Sequence, residues 1–369
     1  MSDMSIKRYI FRKGAAKHIP VSGTFELTPR CNLNCEMCYI HMTPSEESEI
    51  GTELSTDEWI NLGREAVNAG MVYLLLTGGE PMLRKDFCTI YKELARMGLM
   101  ISVNTNATLI SENIIDCLST YLPEKVNVTL YGASSATYQR VCGDESGYER
   151  AVRGIQMLKA AGIQVSINTT FTKNNAKDME EIVAFAKHEN IPIRMTSYIF
   201  PPVRSTRDVN NDCFLSPEAY GQLGAYFDAL TMNSEQKEKR FSVLKAIADK
   251  QEQIPGEGED RASSCMAGRG AFWITWDGRM LPCGMLPSFE TKLCEETFID
   301  AWNKMKNLMD YTMLPGKCST CNARSVCPIC AAVSQSVHGD TTVVPEEICC
   351  YVKSYISSSV KNHLNHLCQ

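Results

Sequence analysis

The sequence predicts an α/β protein built on a parallel sheet, with a smaller cysteine-rich unit at its C-terminus. Six strand–helix units alternate over about residues 23–200, and their strands are short apolar runs. Apolar strands that alternate with helices are typical of a parallel sheet whose faces are covered by helices. Six units are too few to close an eight-stranded barrel, so the pattern leaves an open, curved sheet or a flat doubly wound sheet.

The strands and helices of these units can be placed along the chain. A β-like run at residues 24–28 ends just before the first cysteines. The capping box Ser55-Thr56-Asp57-Glu58 opens an amphipathic helix that stops at Gly70, and a buried strand at 71–76 follows. The later units pair helices with strands in the same way, with helices near 87–97, 112–122, 147–161 and 177–190 and strands at 100–104, 126–131, 165–169 and 193–197.

The pattern changes after residue 200. A polar loop at 201–215 leads to two polar helices between about 217 and 253, and a Gly/Glu/Asp linker at 255–260 marks a domain boundary. Apolar runs at 272–276 and 280–283 flank Asp277-Gly278, which predicts a hairpin, and a helix follows near 297–309. The remaining residues show little apolar periodicity, so we expect metal rather than a large core to hold them together. The expected domains are an N-terminal arm (1–22), a sheet domain (23–200), a helical linker (201–260) and a cysteine-rich domain (261–369).

The composition and charge exclude several classes of protein. The 369 residues are 44% hydrophobic and carry a net charge of −6. A negative net charge argues against a duplex-binding or basic membrane-surface protein. No apolar run approaches the roughly 20 residues of a membrane span, and no apolar stretch follows the basic N-terminus as in a secretory signal. We therefore expect a cytoplasmic protein that binds neither nucleic acid nor a membrane.

Cysteine is the compositional outlier, with 17 residues. Thiols in a reducing cytosol serve metal binding or catalysis rather than a disulfide framework. Ten of the 17 fall into two groups, which scattered core thiols would not do: Cys31, Cys35 and Cys38 near the N-terminus, and Cys318, Cys321, Cys327, Cys330, Cys349, Cys350 and Cys368 in the last 52 residues. Both groups are therefore predicted to bind metal. Cys88, Cys117 and Cys142 lie on helical stretches and are expected to be buried packing residues.

The first group has the spacing Cys-x3-Cys-x2-Cys immediately after the first strand. Three thiolates can hold a 4Fe–4S cluster and leave one iron open, as a catalytic metal requires. Zinc is the alternative, with His41 as the obvious nearby fourth ligand. A second motif, Thr77-Gly78-Gly79-Glu80-Pro81, follows the buried strand at 71–76. Glycines allow a close approach to the backbone, and a carboxylate at a strand end can pair with a cation.

These two motifs resemble those of the radical S-adenosylmethionine (SAM) superfamily. The resemblance implies an open partial (β/α)6 barrel over about residues 23–200. It also implies that Cys31, Cys35 and Cys38 hold a 4Fe–4S cluster whose open iron is chelated by SAM. Met37 would pack on the adenine, and Gly78, Gly79, Glu80 and Pro81 would bind the methionyl ammonium. Further SAM contacts carried over from the family are Asn106, Ser166, Asn168 and Arg194.

The C-terminal cysteines carry a second resemblance, to the SPASM extension of radical SAM enzymes that modify peptides and proteins. Cys265-x12-Gly278-x4-Cys283 and Cys318-x2-Cys321-x5-Cys327 fit its pattern, whereas Cys330 follows after two residues instead of three. The resemblance implies two auxiliary 4Fe–4S clusters. Cluster II would be held by Cys318, Cys321, Cys327 and one of Cys349 or Cys350, and cluster I by Cys265, Cys283 and Cys330. Residues 261–264 contain no fourth ligand for cluster I, so it either has an open iron or borrows Cys213, Cys294 or the spare Cys349 or Cys350.

The function implied by the resemblance is reductive cleavage of SAM to a 5′-deoxyadenosyl radical that removes a hydrogen from the substrate. We expect the substrate to be a ribosomally made peptide, with formation of a thioether or another crosslink, or epimerisation. An external electron donor of the flavodoxin or ferredoxin type is implied, and no catalytic acid or base is assigned. The alternatives are a sulfatase-type protein maturase, a tetrapyrrole side-chain decarboxylase, and a non-catalytic iron–sulfur electron-transfer module.

Overall fold

A nine-stranded sheet forms the frame of the molecule. The computed structural model describes residues 6–40, 42, 44–204, 211–250, 261–262 and 265–367. The strands in these ranges are β1 (Ser22–Glu26), β2 (Tyr73–Thr77), β3 (Met100–Thr105), β4 (Lys125–Thr129), β5 (Val165–Thr169), β6 (Ile193–Met195), β7 (Arg261–Ala262), β8 (Ala271–Ile274), β9 (Arg279–Leu281), β10 (Thr291–Lys292) and β11 (Met313–Leu314).

The main sheet has the order β10-β9-β8-β1-β2-β3-β4-β5-β6. Strands β1 to β6 pair in parallel, each with the next in the chain. The sheet is not closed into a barrel, since β10 and β6 are its two ends. The predicted α/β fold with an open partial barrel is therefore confirmed. The predicted C-terminal hairpin is present as β8 and β9, and β8 adds to the parallel sheet beside β1.

Thirteen α-helices occur in the described residues. They are α1 (Ile6–Lys17), α2 (Pro44–Ile50), α3 (Thr56–Asn68), α4 (Phe87–Arg96), α5 (Glu112–Thr120), α6 (Ser135–Cys142), α7 (Gly147–Ala160), α8 (Met179–His188), α9 (Pro217–Thr231), α10 (Ser234–Ala248), α11 (Phe298–Asp310), α12 (Ala331–His338) and α13 (Glu346–Leu367). The Ser55 capping box forms as predicted and starts α3. No helix in the described residues has both the length and the apolar character that crossing a membrane requires.

The two faces of the sheet differ because neighbouring strand residues point to opposite sides. On one face, apolar side chains pack under the helices, and the Phe25 ring lies 5.0 Å from that of Trp59 on α3. The other face carries polar residues in register, with Asn104 opposite Asn127 and Asn127 opposite Ser166. The Asn127 amide donates a hydrogen bond to Asn104 Oδ1 at 2.8 Å. This polar face leads to the strand ends that carry the two motifs.

The C-terminal segment corrects one expectation. Instead of lacking apolar periodicity, it contains the 22-residue helix α13, which packs on α9 and α10. Its buried residues repeat at helical spacing (Ile348, Val352, Tyr355 and Ile356). The approach to α9 is close, because a Cβ atom on Gly221 would lie 2.4 Å from the Tyr351 carbonyl oxygen. A hydrophobic core therefore supports the cysteine-rich region.

Candidate active site

The first cysteine group lies in a loop that follows β1 and is held by its neighbours on both sides. The backbone N–H groups of Asn34 and Glu36 donate to the carbonyls of Cys142 (2.8 Å) and Val141 (2.9 Å) at the end of α6. The Asn32 side chain donates to Thr108 Oγ1 at 2.8 Å. These contacts fix the backbone on either side of Cys35.

The three thiols of this loop are neighbours. Burial raises the pKa of Cys31 well above its usual range, and Glu80, Cys35 and Cys38 lie close enough to raise it further. Such a group resists ionisation until a cation arrives, and metal coordination deprotonates a thiol outright. The charged form of Cys31 therefore requires a nearby positive charge such as a bound metal.

The two glycines of the second motif support this loop directly. Gly79 N–H donates to the Thr28 carbonyl and Glu80 N–H to the Arg30 carbonyl, both at 2.8 Å. A Cβ atom on Gly79 would lie 2.3 Å from the Arg30 carbonyl oxygen, and one on Gly78 2.6 Å from that of Thr28. The two glycines thus allow the backbone of the segment before Cys31 to pack closely against them.

Glu80 is fully buried and holds the ends of β2 and β3 together. Its carboxylate accepts hydrogen bonds from Thr105 Oγ1 (2.9 Å), the Asn106 N–H (2.8 Å) and the Met82 N–H (3.2 Å). Burial raises the pKa of Glu80 to about 7, although these hydrogen bonds act in the opposite direction. No basic side chain among the described residues forms an ion pair with it, so a bound cation would find an uncompensated carboxylate.

The remaining residues expected to contact SAM are divided between two places. Asn106 lies at the cysteine loop, where its amide is 3.7 Å from Cys31 Sγ and 3.0 Å from Asn32 Oδ1. Met37 and Pro81 are buried at the same end of the sheet. Ser166 is in the polar row of the sheet, and Asn168 is in register with Arg194. Arg194 lies on the edge strand β6 and lines a cavity of about 600 Å³ beside it.

Four C-terminal thiols form a second group. Burial raises the pKa of Cys327 to about 11, with contributions from its neighbours Cys318, Cys349 and Cys321. Cys349 belongs to this group, whereas the Cys350 side chain lies beside Glu218 on α9. Consecutive helix residues point in different directions, which is why α13 separates the two cysteines.

The third group consists of Cys265, Cys283 and Cys330. Burial raises the pKa of Cys283 to about 11, and the thiols of Cys265 and Cys330 add to this effect. Cys330 caps the N-terminus of α12: burial raises the pKa of its thiol, and the backbone N–H groups of Val333 and Ala332 act in the opposite direction. Of the other thiols considered for this group, Cys213 lies near Glu36 of the first loop, and Cys294 is exposed after β10.

Sequence reasoning did not identify a buried ion pair between the first and third groups. Arg204 donates two hydrogen bonds to Glu26 at 3.1 Å, and neither side chain is exposed. Trp273 on β8 donates its indole N–H to Glu26 at 2.8 Å, and the Val203 N–H donates to the Tyr39 carbonyl at 2.9 Å. The one available signal is a glutamate at the end of the otherwise uncharged strand β1.

The Tyr39 side chain shows where this network lies. Burial raises the pKa of its hydroxyl, and the neighbours that add to the effect are Glu26, Cys38 and Cys283. The ion pair therefore lies between the first thiol group and the third.

The thiol groups fit iron–sulfur clusters by the chemistry of their donors. No three His, Cys, Asp or Glu side chains in the described ranges come close enough to hold a single metal ion. A 4Fe–4S cluster is larger than one ion, so its ligand sulfurs stand further apart. Groups of three or four thiols without other ligands are the donor sets that such clusters use.

Comparisons with known proteins agree with this arrangement. Residues 25–186 match the model of the Radical SAM superfamily. The chain is 28% identical to the AdoMet-dependent heme synthase of Methanosarcina barkeri, over 88% of this chain and 95% of that protein. It is 25% identical to the PqqA peptide cyclase of Xanthomonas axonopodis pv. citri, over 83% of this chain and 81% of that protein.

Solved structures share the fold. The enzyme anSMEcpe with bound AdoMet superposes with a TM-score of 0.69 at 15% identity, covering 94% of this chain and 98% of its own. SuiB of Streptococcus suis, bound to the precursor peptide SuiA, superposes with a TM-score of 0.66 at 16% identity, covering 93% of this chain and 80% of its own. The matched family model, the cysteine loop and the open parallel sheet together lead to one conclusion: residues 25–186 form a radical SAM domain, in a chain that has the fold of anSMEcpe and SuiB.

Proposed function

We propose that this radical SAM enzyme modifies a peptide or protein substrate. Cys31, Cys35 and Cys38 would hold a 4Fe–4S cluster with one iron left for SAM. Cluster and SAM together supply a carbon-centred radical that takes a hydrogen atom from the substrate. The chain's own residues position this chemistry: Glu80 offers its buried charge to the ammonium of SAM, and Asn106 connects the Glu80 carboxylate to the Cys31 thiol.

The C-terminal thiols would hold two auxiliary clusters, making three in all. Cys318, Cys321, Cys327 and Cys349 form a complete set of four for cluster II. Cys265, Cys283 and Cys330 supply three ligands for cluster I, which leaves one position for a substrate atom. A substrate cysteine bound there would favour a thioether product. The electrons would come from a small external donor of the flavodoxin or ferredoxin type.

The observation that most supports a peptide substrate is the open edge of the sheet at β6. β6 is an edge strand, and the cavity of about 600 Å³ runs along it, lined by Arg194, Arg240, Tyr351, Tyr355 and Cys327. An edge strand offers unpaired backbone groups to an extended chain. A peptide can therefore enter from the side, where a closed barrel would exclude it. The similarity to PqqA peptide cyclases supports the same substrate class.

A second candidate is decarboxylation of a tetrapyrrole side chain. The similarity to AdoMet-dependent heme synthases extends over nearly the whole length of those proteins and favours this reaction. A tetrapyrrole carries propionate groups, which the exposed Arg194 and the half-buried Arg240 could pair with at the same cavity.

Both candidates can be tested with one anaerobically reconstituted preparation. The protein is incubated with SAM and dithionite, either with the small peptides encoded beside its gene or with Fe-coproporphyrin III. We expect a peptide whose mass falls by two hydrogens per crosslink, or is unchanged with an inverted residue, and 5′-deoxyadenosine in equal amount. Saturable binding of Fe-coproporphyrin III followed by release of carbon dioxide, with every peptide unchanged, would replace our proposal with the second candidate.

A further inference from the structure

Helix α6 packs directly behind Cys35. The two backbone hydrogen bonds from Asn34 and Glu36 to the last residues of α6 leave Cys35 between them, facing the helix end. Gly143 ends the helix with a φ of 70°, a left-handed conformation that glycine adopts without strain. The position of Cys35 relative to α6 is therefore fixed by the backbone on both sides.

Two polar groups of α6 lie beside this position. The thiol of Cys142, which is fully buried, lies next to the Cys35 thiol. The hydroxyl of Tyr138 lies near both Cys142 and Cys35. Residues four apart share one face of a helix, so Tyr138 and Cys142 point the same way.

The Tyr138 hydroxyl has no hydrogen-bond partner among the described residues, although its side chain is 1% exposed. The backbone of Tyr131 lies near it without forming a hydrogen bond of acceptable geometry. An unsatisfied buried hydroxyl destabilises the fold, and phenylalanine would pack equally well without this cost. The unpaired hydroxyl therefore indicates an acceptor that arrives with a bound group.

The tyrosine ring is also held in one orientation. A Cβ atom on Gly147 would lie 2.7 Å from its Cδ1 atom, so the ring occupies the space that a side chain at 147 would fill. The ring of Tyr148 packs against it with centroids 5.8 Å apart. The hydroxyl cannot turn away from Cys35 without displacing these neighbours.

We propose that Tyr138 and Cys142 donate hydrogen bonds to the Cys35 sulfur and the cluster it holds, as positioning residues that raise the cluster's reduction potential. This inference rests on the proposed cluster at Cys31, Cys35 and Cys38. A metal-bound thiolate can only accept, so Cys142 and Tyr138 are the donors. Hydrogen bonds to cluster sulfurs stabilise the more negative, reduced state and so raise the potential.

The test compares variants of the full-length reconstituted protein by redox titration. The reduced cluster is followed by the part of its electron paramagnetic resonance signal that changes when SAM is added, because that part reports the SAM-binding cluster. We expect Tyr138→Phe and Cys142→Ala each to shift the midpoint potential to more negative values, with iron content unchanged. Cys142→Ser keeps a donor at the same place and should restore most of the shift.

Tyr91→Phe is the matched control, because Tyr91 on α4 is equally buried and its hydroxyl donates to the Tyr121 carbonyl, away from the loop. It should leave the potential unchanged. Unshifted potentials in both Tyr138→Phe and Cys142→Ala would overturn the inference, as would loss of the cluster from either variant. If the unmodified protein binds no SAM-responsive cluster, the proposed function fails instead.

Discussion

At the scale of single residues, the motifs single out side chains but do not indicate which groups those side chains contact. Gly78, Gly79 and Glu80 were expected from their place after a buried strand, and the structure puts them at the cysteine loop. Their partners are the carbonyls of Thr28 and Arg30, which tertiary pairing of β1 with β2 brings to them. No local sequence pattern indicates this contact with Thr28 and Arg30, so the sequence predicts only a ligand-binding role for the glycines.

The buried carboxylate of Glu80 makes the stability of the metal-free, SAM-free protein depend on pH. The pKa of about 7 lies above the ordinary value of 4.5. The folded state therefore binds the Glu80 proton more tightly than the unfolded chain does. This binding stabilises the fold fully below pH 4.5, and the stabilisation is lost as the pH rises through 7. We expect wild type to lose about 3 kcal/mol of unfolding free energy between pH 4.5 and 7 relative to Glu80→Gln. Urea titrations of both proteins across this range measure the difference, and parallel pH profiles would contradict it.

The same residue is expected to determine SAM affinity. Glu80→Gln removes the charge offered to the SAM ammonium, a charge-assisted hydrogen bond worth roughly 1.5–3 kcal/mol. Equilibrium dialysis of the reconstituted variant should give a SAM affinity about 10- to 100-fold lower with the same iron content. Glu124→Gln is the control, because Glu124 lies at the opposite end of the sheet beside Ser102. Equal SAM affinity in Glu80→Gln and wild type would mean that Glu80 serves only to join β2 to β3.

At the scale of elements, the βα units were predictable because each combines a helix boundary signal with an apolar strand. Helix α13 was not predicted, since its apolar stripe is interrupted by Cys349, Cys350 and a run of serines. The buried face of α13 can be recognised only in the folded protein, where α9 and α10 form the surface on which it packs. The same helix separates the two cysteines that spacing left as alternatives, because Cys349 lies near Cys327 and Cys350 lies near Glu218.

This orientation predicts opposite effects for two adjacent cysteines. Cys349→Ser removes a ligand from the proposed cluster II and should lower the iron content by about four atoms. Cys350→Ser changes a side chain that contacts Glu218 and should keep the full complement. Iron analysis and the visible absorption of the two reconstituted variants make the comparison. Loss of iron from Cys350→Ser alone would reverse our assignment.

The Glu26–Arg204 pair links β1 to the segment after β6 and should contribute strongly to stability. Removing one partner of a buried ion pair typically costs about 3–5 kcal/mol, because the other charge is left unpaired. We expect such losses for Glu26→Gln and for Arg204→Met, and a much smaller loss for the double variant than for the sum. Denaturant titrations test this, with Asp249→Asn in the exposed pair with Lys245 as a control that changes little. Additive losses would show that the two charges act independently.

At the scale of the whole molecule, the number of βα units correctly predicted an open parallel sheet. The hairpin signal at Asp277-Gly278 was equally sound, yet it contains no information about which strand the hairpin joins. The structure places β8 beside β1, so the C-terminal hairpin and the first strand share one sheet. The main sheet therefore contains strands from both sides of the predicted boundary between residues 260 and 261.

The three proposed clusters predict a total of about 11–12 iron atoms after anaerobic reconstitution. Replacing Cys31, Cys35 and Cys38 together by Ala should remove about a third of this iron and all SAM cleavage. The C-terminal groups should keep theirs, because they lie on other elements. Iron and sulfide analysis with a 5′-deoxyadenosine assay measures both effects. Stoichiometric zinc in place of this iron would contradict the assignment of auxiliary clusters to the C-terminal groups.

The pairing of β1 with β8 also bears on how the protein is made. Thr24 on β1 is in register with Trp273 on β8. During synthesis, β8 emerges from the ribosome only after most of the chain has been made, so β1 lacks this second neighbour until then. Until then β1 is an open edge beside the cysteine loop, and such edges recruit other strands. A nascent or truncated chain that stops before β8 should therefore aggregate. Contacts between residues so distant in sequence also slow folding. The last folding step would then bring the C-terminal thiols close to the cysteine loop that follows β1.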